Sequence, residues 1–508
     1  MSRRLGARAL IDLVLDPGSF RSWDAPVVRG AVDEAYAADL ARAEERAGTD
    51  EAVLTGEGTI RGRRVAVLVG EFGFLAGSIG VDAAERLTVA VERATAERLP
   101  LLAAPVSGGT RMQEGTPAFV RMVQITAAIC AHKDAGLPYL VYLRNPTTGG
   151  VMASWGSLGH ITVAEPGALL GFLGPRVYEA LYGEAFPEGV QTAENLYAHG
   201  IVDAVLPPEE LADIVDRALR VLQSPRPGRE VAAVPPEFPD PAADEETPAP
   251  PADAWEAVQA SRRDERPGVR ALLRNGAEDV VPLNGTGQGE AGHGLVLALV
   301  RFGDAPAVLL GQDRREQTTV RPLGPDALRE ARRGMRLAAE LGLPLVSVID
   351  TPGAALSVDA EQGGLAGEIA RSLADMVTLP VPTLTVLLGQ GTGGGALALL
   401  PADRVVAAQH AWLSPLPPEG ASAIVHRTPD RAAEMARAQG VGAAALTDEG
   451  VVDRVVAEVP DAAEEPEAFC RRVAAVVEEE LATLWAADDG TRRAARRARF
   501  RHGLSGRA

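Results

Sequence analysis

The sequence predicts an α/β protein built from two tandem copies of one layered domain. Short apolar, strand-like stretches alternate with helix-length stretches, a Pro-rich segment divides the chain of 508 residues, and motifs that precede this segment recur after it. Alternating strands and helices are typical of parallel strands joined by crossover helices. Each half should therefore be a layered α/β unit.

The predicted elements follow the same order in both halves, and each helix leads into a strand that ends at a Gly-containing turn. In the first half they are helix 83–98, strand 101–106, helix 116–134 and strand 139–143. In the second half they are helix 326–341, strand 345–349, helix 365–378 and strand 383–388.

The repeat has a nearly constant offset. Pro100 and Pro344 differ by 344 − 100 = 244 positions. The same offset relates Pro138 to Pro382, Gly149 to Gly393, Gly150 to Gly394, and Ile161 to Val405. Chance matches would not keep one register across successive elements, so the pattern indicates a duplication.

The segment from Ser224 to Asp253 is rich in Pro and has almost no apolar periodicity. Such a composition cannot bury a core and is typical of a linker. It predicts an N-terminal domain at residues 1–223, a linker at 224–253 and a C-terminal domain at 254–508.

Composition excludes several classes of protein. The formal net charge of -19 disfavours nucleic acid as a partner. Cys130 and Cys470 are the only cysteines, too few for a Cys-based zinc site or a disulfide framework. Lys133, the only lysine, follows His132 instead of Gly, so a P-loop is absent. With no apolar run long enough for a signal peptide or a membrane span, we expect a cytoplasmic protein.

One basic segment, at residues 492–501, stands out against the acidic composition. It is interpreted as a solvated helix end. The alternative is a docking site for an acidic partner.

Gly-rich turns recur in both halves at 147–151 and 392–396, each between an apolar strand and an apolar, helix-like stretch. Such a turn can direct backbone N–H groups at one point, and the missing side chains let a ligand oxygen approach. A second N–H could come from Gly109 in the first half and from Gly353 in the second. Paired donors would form an oxyanion hole. The alternative is a tight turn selected only for packing.

Other catalytic signatures are missing from the sequence. There is no Gly-x-Ser-x-Gly elbow and no His-Glu-x-x-His motif, and the seven histidines are scattered. Backbone oxyanion holes without a nucleophile, base or metal suggest that substrate and cofactor supply the reactive groups.

The motifs of both halves resemble a known family. The first half is similar to the β subunit of the carboxyltransferase of acetyl-CoA carboxylase, and the second half to its α subunit. The first set comprises Gly77–Gly80, Ser107–Gly115, Pro146–Val151, Ala164–Ala168 and Gly174–Arg176. The second comprises Ile349–Ala354, Gly389–Leu397, Pro418–Ile424 and the tail Arg496–Arg501. The resemblance implies tandem duplicated domains of the crotonase-like (ClpP/crotonase) fold.

The resemblance also implies a mechanism. Carboxybiotin on a carrier protein releases CO2, the biotin urea takes the α-proton of the acyl-CoA, and the enolate attacks CO2 to give a malonyl-type product, as in fatty acid biosynthesis. The implied thioester site has Gly109 and Gly150 as catalytic groups, with Gly77, Ser78, Gly108, Gly149 and Val151 as substrate contacts. The implied biotin site has Gly353, Gly394 and Gly395 as catalytic groups, with Ala354, Gly393 and Ala396 as substrate contacts.

The implied cofactor is carrier-bound biotin, the implied substrate is acetyl-CoA or another short acyl-CoA, and no metal is expected. Expected partners are biotin carboxylase, biotin carboxyl carrier protein and further copies of this chain, as a dimer or a trimer of dimers. The cysteines of the β subunit's zinc ribbon are absent, which favours the single-polypeptide acyl-CoA carboxyltransferases. Residues 357–362 only loosely follow the family's acidic loop. Two alternatives remain: a malonyl-thioester decarboxylase of the same fold, and a non-catalytic scaffold.

Overall fold

The computed structural model describes residues 5–29, 32–224, 253–318 and 320–502. The chain divides into two compact units. Unit 1 extends to Leu219 and includes Gly287–Gly289; unit 2 holds the rest from Arg220 onward. Residues 225–252, most of the predicted linker, lie outside the described residues. The linker and the exact domain boundaries therefore stay predictions.

Unit 1 follows the predicted alternation of helices and strands. Its strands are β1 Arg21–Ser22, β2 Val53–Ile60, β3 Arg63–Gly70, β4 Leu101–Ala104, β5 Tyr139–Leu143, β6 Thr147–Thr148, β7 Ile161–Ala164, β8 Leu170–Gly171 and β9 Ala204–Val205. Its helices are α1 Ala7–Val14, α2 Glu34–Ala47, α3 Val81–Ala96, α4 Gly115–Asp134, α5 Gly149–Met152, α6 Pro175–Tyr182, α7 Ala193–Ala198 and α8 Leu211–Leu222, the last of which crosses the division at Leu219.

Unit 2 repeats the same succession of elements. Its strands are β10 Asp279–Leu283, β11 Leu295–Phe302, β12 Ala305–Gln312, β13 Leu345–Thr351, β14 Thr383–Thr392, β15 Arg404–Ala408, β16 Trp412–Ser414 and β17 Arg454–Val456. Its helices are α9 Ala254–Ser261, α10 Val269–Gly276, α11 Pro325–Leu341, α12 Val358–Gln362, α13 Leu365–Thr378, α14 Gly393–Leu397, α15 Pro418–His426, α16 Ala432–Ala438, α17 Ala443–Asp448, α18 Pro466–Ala486 and α19 Asp489–His502.

The two main sheets have matching strand orders, β1-β2-β3-β4-β5-β7-β9 and β10-β11-β12-β13-β14-β15-β17. In each, three antiparallel strands at one edge, β1–β3 or β10–β12, are followed by parallel strands. Crossover helices such as α3 and α11 join the parallel strands, as predicted, because parallel neighbours need a long connection.

Burial explains why these segments form strands and helices. All eight residues of β12 are buried, as expected for a central strand of a sheet that is covered on both faces. Helix α3 buries Ala83, Leu87, Ala90 and Ala94, a three-to-four-residue spacing that places them on one face. This face packs on the core that the parallel strands of unit 1 also enter.

The interpretation of the basic C-terminal segment as a solvated helix end holds for the exposed Arg497 but is wrong for Arg492 and Arg496. Arg492 and Arg496 are buried on one face of α19, and both contact the buried carboxylate of Asp403 at 2.7 Å. Arg496 also donates to the carbonyls of Met376 and Leu379. The segment therefore anchors α19 to unit 2, because each guanidinium finds a carboxylate and carbonyl acceptors within the fold.

None of the helices within the described ranges combines the length and the apolar character that a bilayer span requires.

Candidate functional site

The first glycine corner, residues 107–110 with 148–151, lies where β4 and β5 end. Backbone hydrogen bonds hold its two segments together: Ser107 N–H donates to the Pro146 carbonyl at 2.8 Å, and Thr148 N–H to the Ser107 carbonyl at 2.9 Å. Gly109 and Gly149 have φ of 111° and 63°. A Cβ on Gly149 would lie 3.0 Å from Gly109 Cα, so only glycine permits this approach.

Free N–H donors at this corner come from the start of α5. The first N–H groups of a helix have no partner inside it. Gly149 N–H donates to the Phe172 carbonyl, but the described residues offer no acceptor to Gly150 or Val151. The Gly109 N–H, predicted to be free, instead donates to Ser107 Oγ at 3.0 Å. A serine hydroxyl can reach the N–H two residues ahead, which explains the difference.

The predicted residues Gly77 and Ser78 lie beside this corner but have local roles. A Cβ on Gly77 would be 2.1 Å from the Val106 carbonyl oxygen, so close packing requires this glycine. Ser78 Oγ donates to the Leu75 carbonyl at 2.8 Å. Gly108 N–H donates to the Ala76 carbonyl at 2.9 Å, which ties this loop to the corner.

A buried ion pair fixes the same region. Arg111 donates from Nη1 and Nη2 to the two Glu51 carboxylate oxygens, both at 2.6 Å, and from Nη2 to the Ser78 carbonyl at 2.8 Å. Both side chains are buried. The pair therefore holds the loop before α3 against the glycine corner.

The second glycine corner, residues 351–354 with 392–396, repeats this geometry in unit 2. Gly353 and Gly393 have φ of 134° and 65°. They are the repeat partners of Gly109 and Gly149, since 353 − 109 and 393 − 149 are both 244. Gly353 N–H donates to Thr351 Oγ1 at 3.1 Å, as Gly109 N–H does to Ser107 Oγ.

The described residues likewise offer no acceptor to the Gly394 and Gly395 N–H groups at the start of α14. A Cβ on Gly395 would lie 3.5 Å from Ala354 N, so these predicted residues are close together. Ala396 is buried. Each unit thus presents two consecutive N–H groups, at positions 150–151 and 394–395.

A buried carboxylate supports the second corner. Asp350 Oδ1 accepts from Gln390 N–H at 3.0 Å and so connects the ends of β13 and β14. Burial raises the pKa of Asp350, although Arg314, 3.4 Å away, acts in the opposite direction.

Comparison of the sequence with known protein families identifies the family of this chain. The family model that describes the carboxyl transferase domain matches residues 3–490, nearly the whole chain. The chain belongs to the carboxyl transferase family.

Individual carboxyl transferase relatives agree over both halves. The chain is 59% identical over 500 residues to a probable biotin-dependent acyl-coenzyme A carboxylase beta3 subunit of Mycobacterium tuberculosis, with 98% of each chain covered. It is 39% identical over 516 residues to the acetyl-coenzyme A carboxylase carboxyl transferase subunits beta/alpha of Salinispora arenicola, with 98% of this chain and 90% of the relative covered.

Solved structures with low sequence identity support the fold. The transcarboxylase 12S hexamer, solved with methylmalonyl-coenzyme A bound, has a TM-score of 0.72 at 22% identity and covers 94% of this chain and 90% of its own. A single-chain, multi-domain long-chain acyl-CoA carboxylase has a TM-score of 0.67 at 19% identity, covering 93% of this chain and 45% of its own.

Together these findings confirm the predicted family, the crotonase-like α/β fold and the prediction of a carboxyltransferase of a biotin-dependent acyl-CoA carboxylase. They do not favour the decarboxylase or the scaffold. The roles of individual site residues stay predictions.

One group in the described part of this carboxyl transferase could offer three metal ligands, His410, Glu458 and Asp461. Glu458, however, forms a buried ion pair with Arg266. Burial raises the pKa of Glu458, but hydrogen bonds from Arg266 and His410 outweigh this and lower it to about 2. The Glu458 carboxylate is therefore already bound to the guanidinium of Arg266 and to the His410 side chain.

Sequence reasoning missed the two hydroxyls that bind the corner N–H groups. Ser107 and Thr351 belong to the quoted motifs, yet only their glycines were predicted as site residues. Their signal was present, because a hydroxyl residue precedes Gly109 and Gly353 by two positions at the common offset of 244.

Proposed function

We propose that this chain transfers the carboxyl group of carboxybiotin, held on a separate carrier protein, to the α-carbon of a short acyl-CoA such as acetyl-CoA. The observation that carries the proposal is the duplicated glycine corner, in which each unit has two consecutive N–H groups without an acceptor among the residues that the structure describes. Preorganised donors of this kind stabilise an oxygen on which charge develops. The reaction needs two such oxygens, one on the thioester and one on the biotin urea.

The proposed donors differ in part from those expected from the sequence. Gly150 and Val151 would hold the thioester oxygen, and Gly394 and Gly395 the ureido oxygen. Gly109 would contribute by its missing side chain, because its own N–H is bound to Ser107 Oγ. Gly353 would act in the same way in unit 2.

Biotin carboxylase and biotin carboxyl carrier protein are the proposed partners, since this chain supplies only the transfer half-reaction.

We also propose a homo-oligomer, a dimer or a trimer of dimers. Each corner is bordered by an exposed apolar side chain at the same repeat position, Met112 (75% exposed) and Leu356 (94%). Exposed apolar surface next to a site is typical of protein contacts.

The reverse half-reaction tests the proposed function. Incubation of the purified protein with malonyl-CoA and free biotin is expected to give acetyl-CoA at a rate that depends on biotin. Chromatographic assay of acetyl-CoA with and without biotin measures this dependence. Release of CO2 at an equal rate without biotin would contradict the proposal and favour the decarboxylase.

A further inference from the structure

The corner hydroxyls Ser107 and Thr351 differ in the direction in which each donates its proton. Both accept the N–H of the glycine two residues ahead. Ser107 Oγ then donates to the carbonyl of that same glycine, Gly109, at 3.2 Å. Thr351 Oγ1 lies 2.6 Å from Gln317 Oε1 but 3.4 Å from the Gly353 carbonyl oxygen. Because the shorter contact makes the stronger hydrogen bond, Gln317 takes the proton of Thr351.

The side-chain amide of Gln317 has a fixed orientation. Its Nε2 donates to the Gly294 carbonyl at 3.0 Å. Only the NH2 end of an amide can donate to a carbonyl, so Oε1 is the end that faces Thr351. A Cβ on Gly294 would lie 2.4 Å from Gln317 Cγ, so this glycine makes room for the side chain. Gln317 is only 7% exposed, and its two hydrogen bonds are therefore shielded from water.

These bonds form one chain in which each group donates to the next. Gly353 N–H donates to the Thr351 hydroxyl, the hydroxyl donates to the Gln317 amide, and the amide donates to the Gly294 carbonyl. The chain connects the end of β13, the loop after β12 and the residue before β11. Hydrogen bonds in such a chain strengthen one another, so the loss of one member weakens the others.

The chain begins at one wall of the second glycine corner. Gly353 has a φ of 134°, and the next residue, Ala354, has its nitrogen 3.5 Å from the position of a Cβ on Gly395. Gly395 carries one of the two proposed donor N–H groups of this unit. Without Gln317, the proton of Thr351 would turn to the Gly353 carbonyl, as that of Ser107 does in unit 1. This turn would shift the segment that lies against the donor.

We propose that Gln317 is a positioning residue for carboxyl transfer. Through the hydroxyl of Thr351 it holds residues 353–354 beside the donor N–H groups of the second corner. An oxyanion hole is effective only when the surrounding residues hold its donors in the productive geometry. This inference rests on the proposed function, to which it adds a side chain that acts without touching a ligand.

The first test removes the amide with Gln317→Met, which keeps the length of the side chain. This substitution is expected to lower kcat of the reverse half-reaction about three- to ten-fold, the effect of one neutral hydrogen bond. The KM for malonyl-CoA should stay within about two-fold of the wild type, because no binding contact is removed. Steady-state kinetics with malonyl-CoA and biotin would measure both constants.

A double-mutant cycle shows whether Gln317 acts through Thr351. Thr351→Val removes the hydroxyl at nearly constant size. If the amide acts only through this hydroxyl, adding Gln317→Met to Thr351→Val should lower kcat by less than about two-fold. Thr351→Ser keeps the hydroxyl, so its kcat should be close to that of the wild type. In the Thr351→Ser protein, Gln317→Met should again lower kcat about three- to ten-fold.

Gln409→Met is the matched control for the loss of a buried amide in unit 2. Gln409 is 9% exposed and accepts from Glu458 N–H at 2.8 Å, between β15 and β17. Its substitution should leave kcat within about two-fold of the wild type, since it is not part of the chain to Gly353. Circular dichroism would confirm that each variant is folded. If Gln317→Met were unfolded, Gln317→Asn, whose shorter side chain cannot bridge Gly294 and Thr351, would replace it in the cycle.

Two results would overturn the inference. The first is an unchanged kcat in the folded Gln317 variant. The second is full additivity of the Gln317 and Thr351 substitutions, which would mean that the amide serves only the packing of its loop. Failure of the wild type to transfer carboxyl groups to biotin would instead contradict the proposed function.

Discussion

Replacing Gly109 with Ala is expected to lower kcat for carboxyl transfer by about two orders of magnitude, the loss typical of removing one oxyanion donor. The new methyl group would lie 3.4 Å from Gly149 Cα and 3.7 Å from Gly150 N. It would fill the space through which a thioester oxygen reaches the Gly150 N–H. Steady-state kinetics of the reverse half-reaction would measure the loss.

The substitution Gly62→Ala serves as the control for backbone strain. Gly62 also has a positive φ, 80°, but a Cβ there would meet no atom within 4 Å. Both substitutions place alanine in a left-handed region, at a cost of about 1–2 kcal/mol each. Gly62→Ala should leave kcat within about two-fold of the wild type. An active, folded Gly109→Ala protein would contradict the role given to the first corner.

Replacing Asp403 with Asn is expected to lower the free energy of unfolding by about 3–5 kcal/mol, because removing one partner leaves buried charge uncompensated. The carboxylate of Asp403 contacts Arg492 and Arg496 and also accepts from Thr383 N–H. Asparagine keeps the size but not the charge, so two buried guanidinium groups would lose the buried counterion that they share, and only Arg492 would keep a second carboxylate, that of the exposed Asp489. Chemical denaturation followed by circular dichroism would measure the change.

The matched control is Glu434→Gln, which breaks an exposed ion pair with Arg431. Exposed pairs contribute little, so its unfolding curve should coincide with that of the wild type. If Asp403→Asn were as stable as this control, α19 would not be held by its arginines.

Sequence periodicity predicted the order of helices and strands in both units, since parallel strands and crossover helices have distinct apolar patterns. The end of β14 was less predictable. The strand was expected to stop at residue 388 but continues to Thr392. Gly389–Gly391 resemble a turn in sequence, whereas pairing of Gln390 with Trp412 and of Gly391 with Leu413 keeps them extended.

The glycines of the site were predictable, because their spacing repeats, but their hydrogen bonds were not. Whether Gly109 N–H is free depends on the rotamer of Ser107, which sequence does not give. Arg492 and Arg496 illustrate the same limit. Their spacing predicts a shared helix face, but their common partner Asp403 is distant in sequence, and only the tertiary fold brings it to them.

The most direct measurement is a structure of the oligomer with an acyl-CoA and biotin bound. The thioester oxygen is expected about 3 Å from the Gly150 and Val151 nitrogens, and the ureido oxygen at the same distance from those of Gly394 and Gly395. Ligands bound away from these nitrogens, or an exchange of the two ligands between the corners, would contradict the assignment of one oxyanion site to each unit.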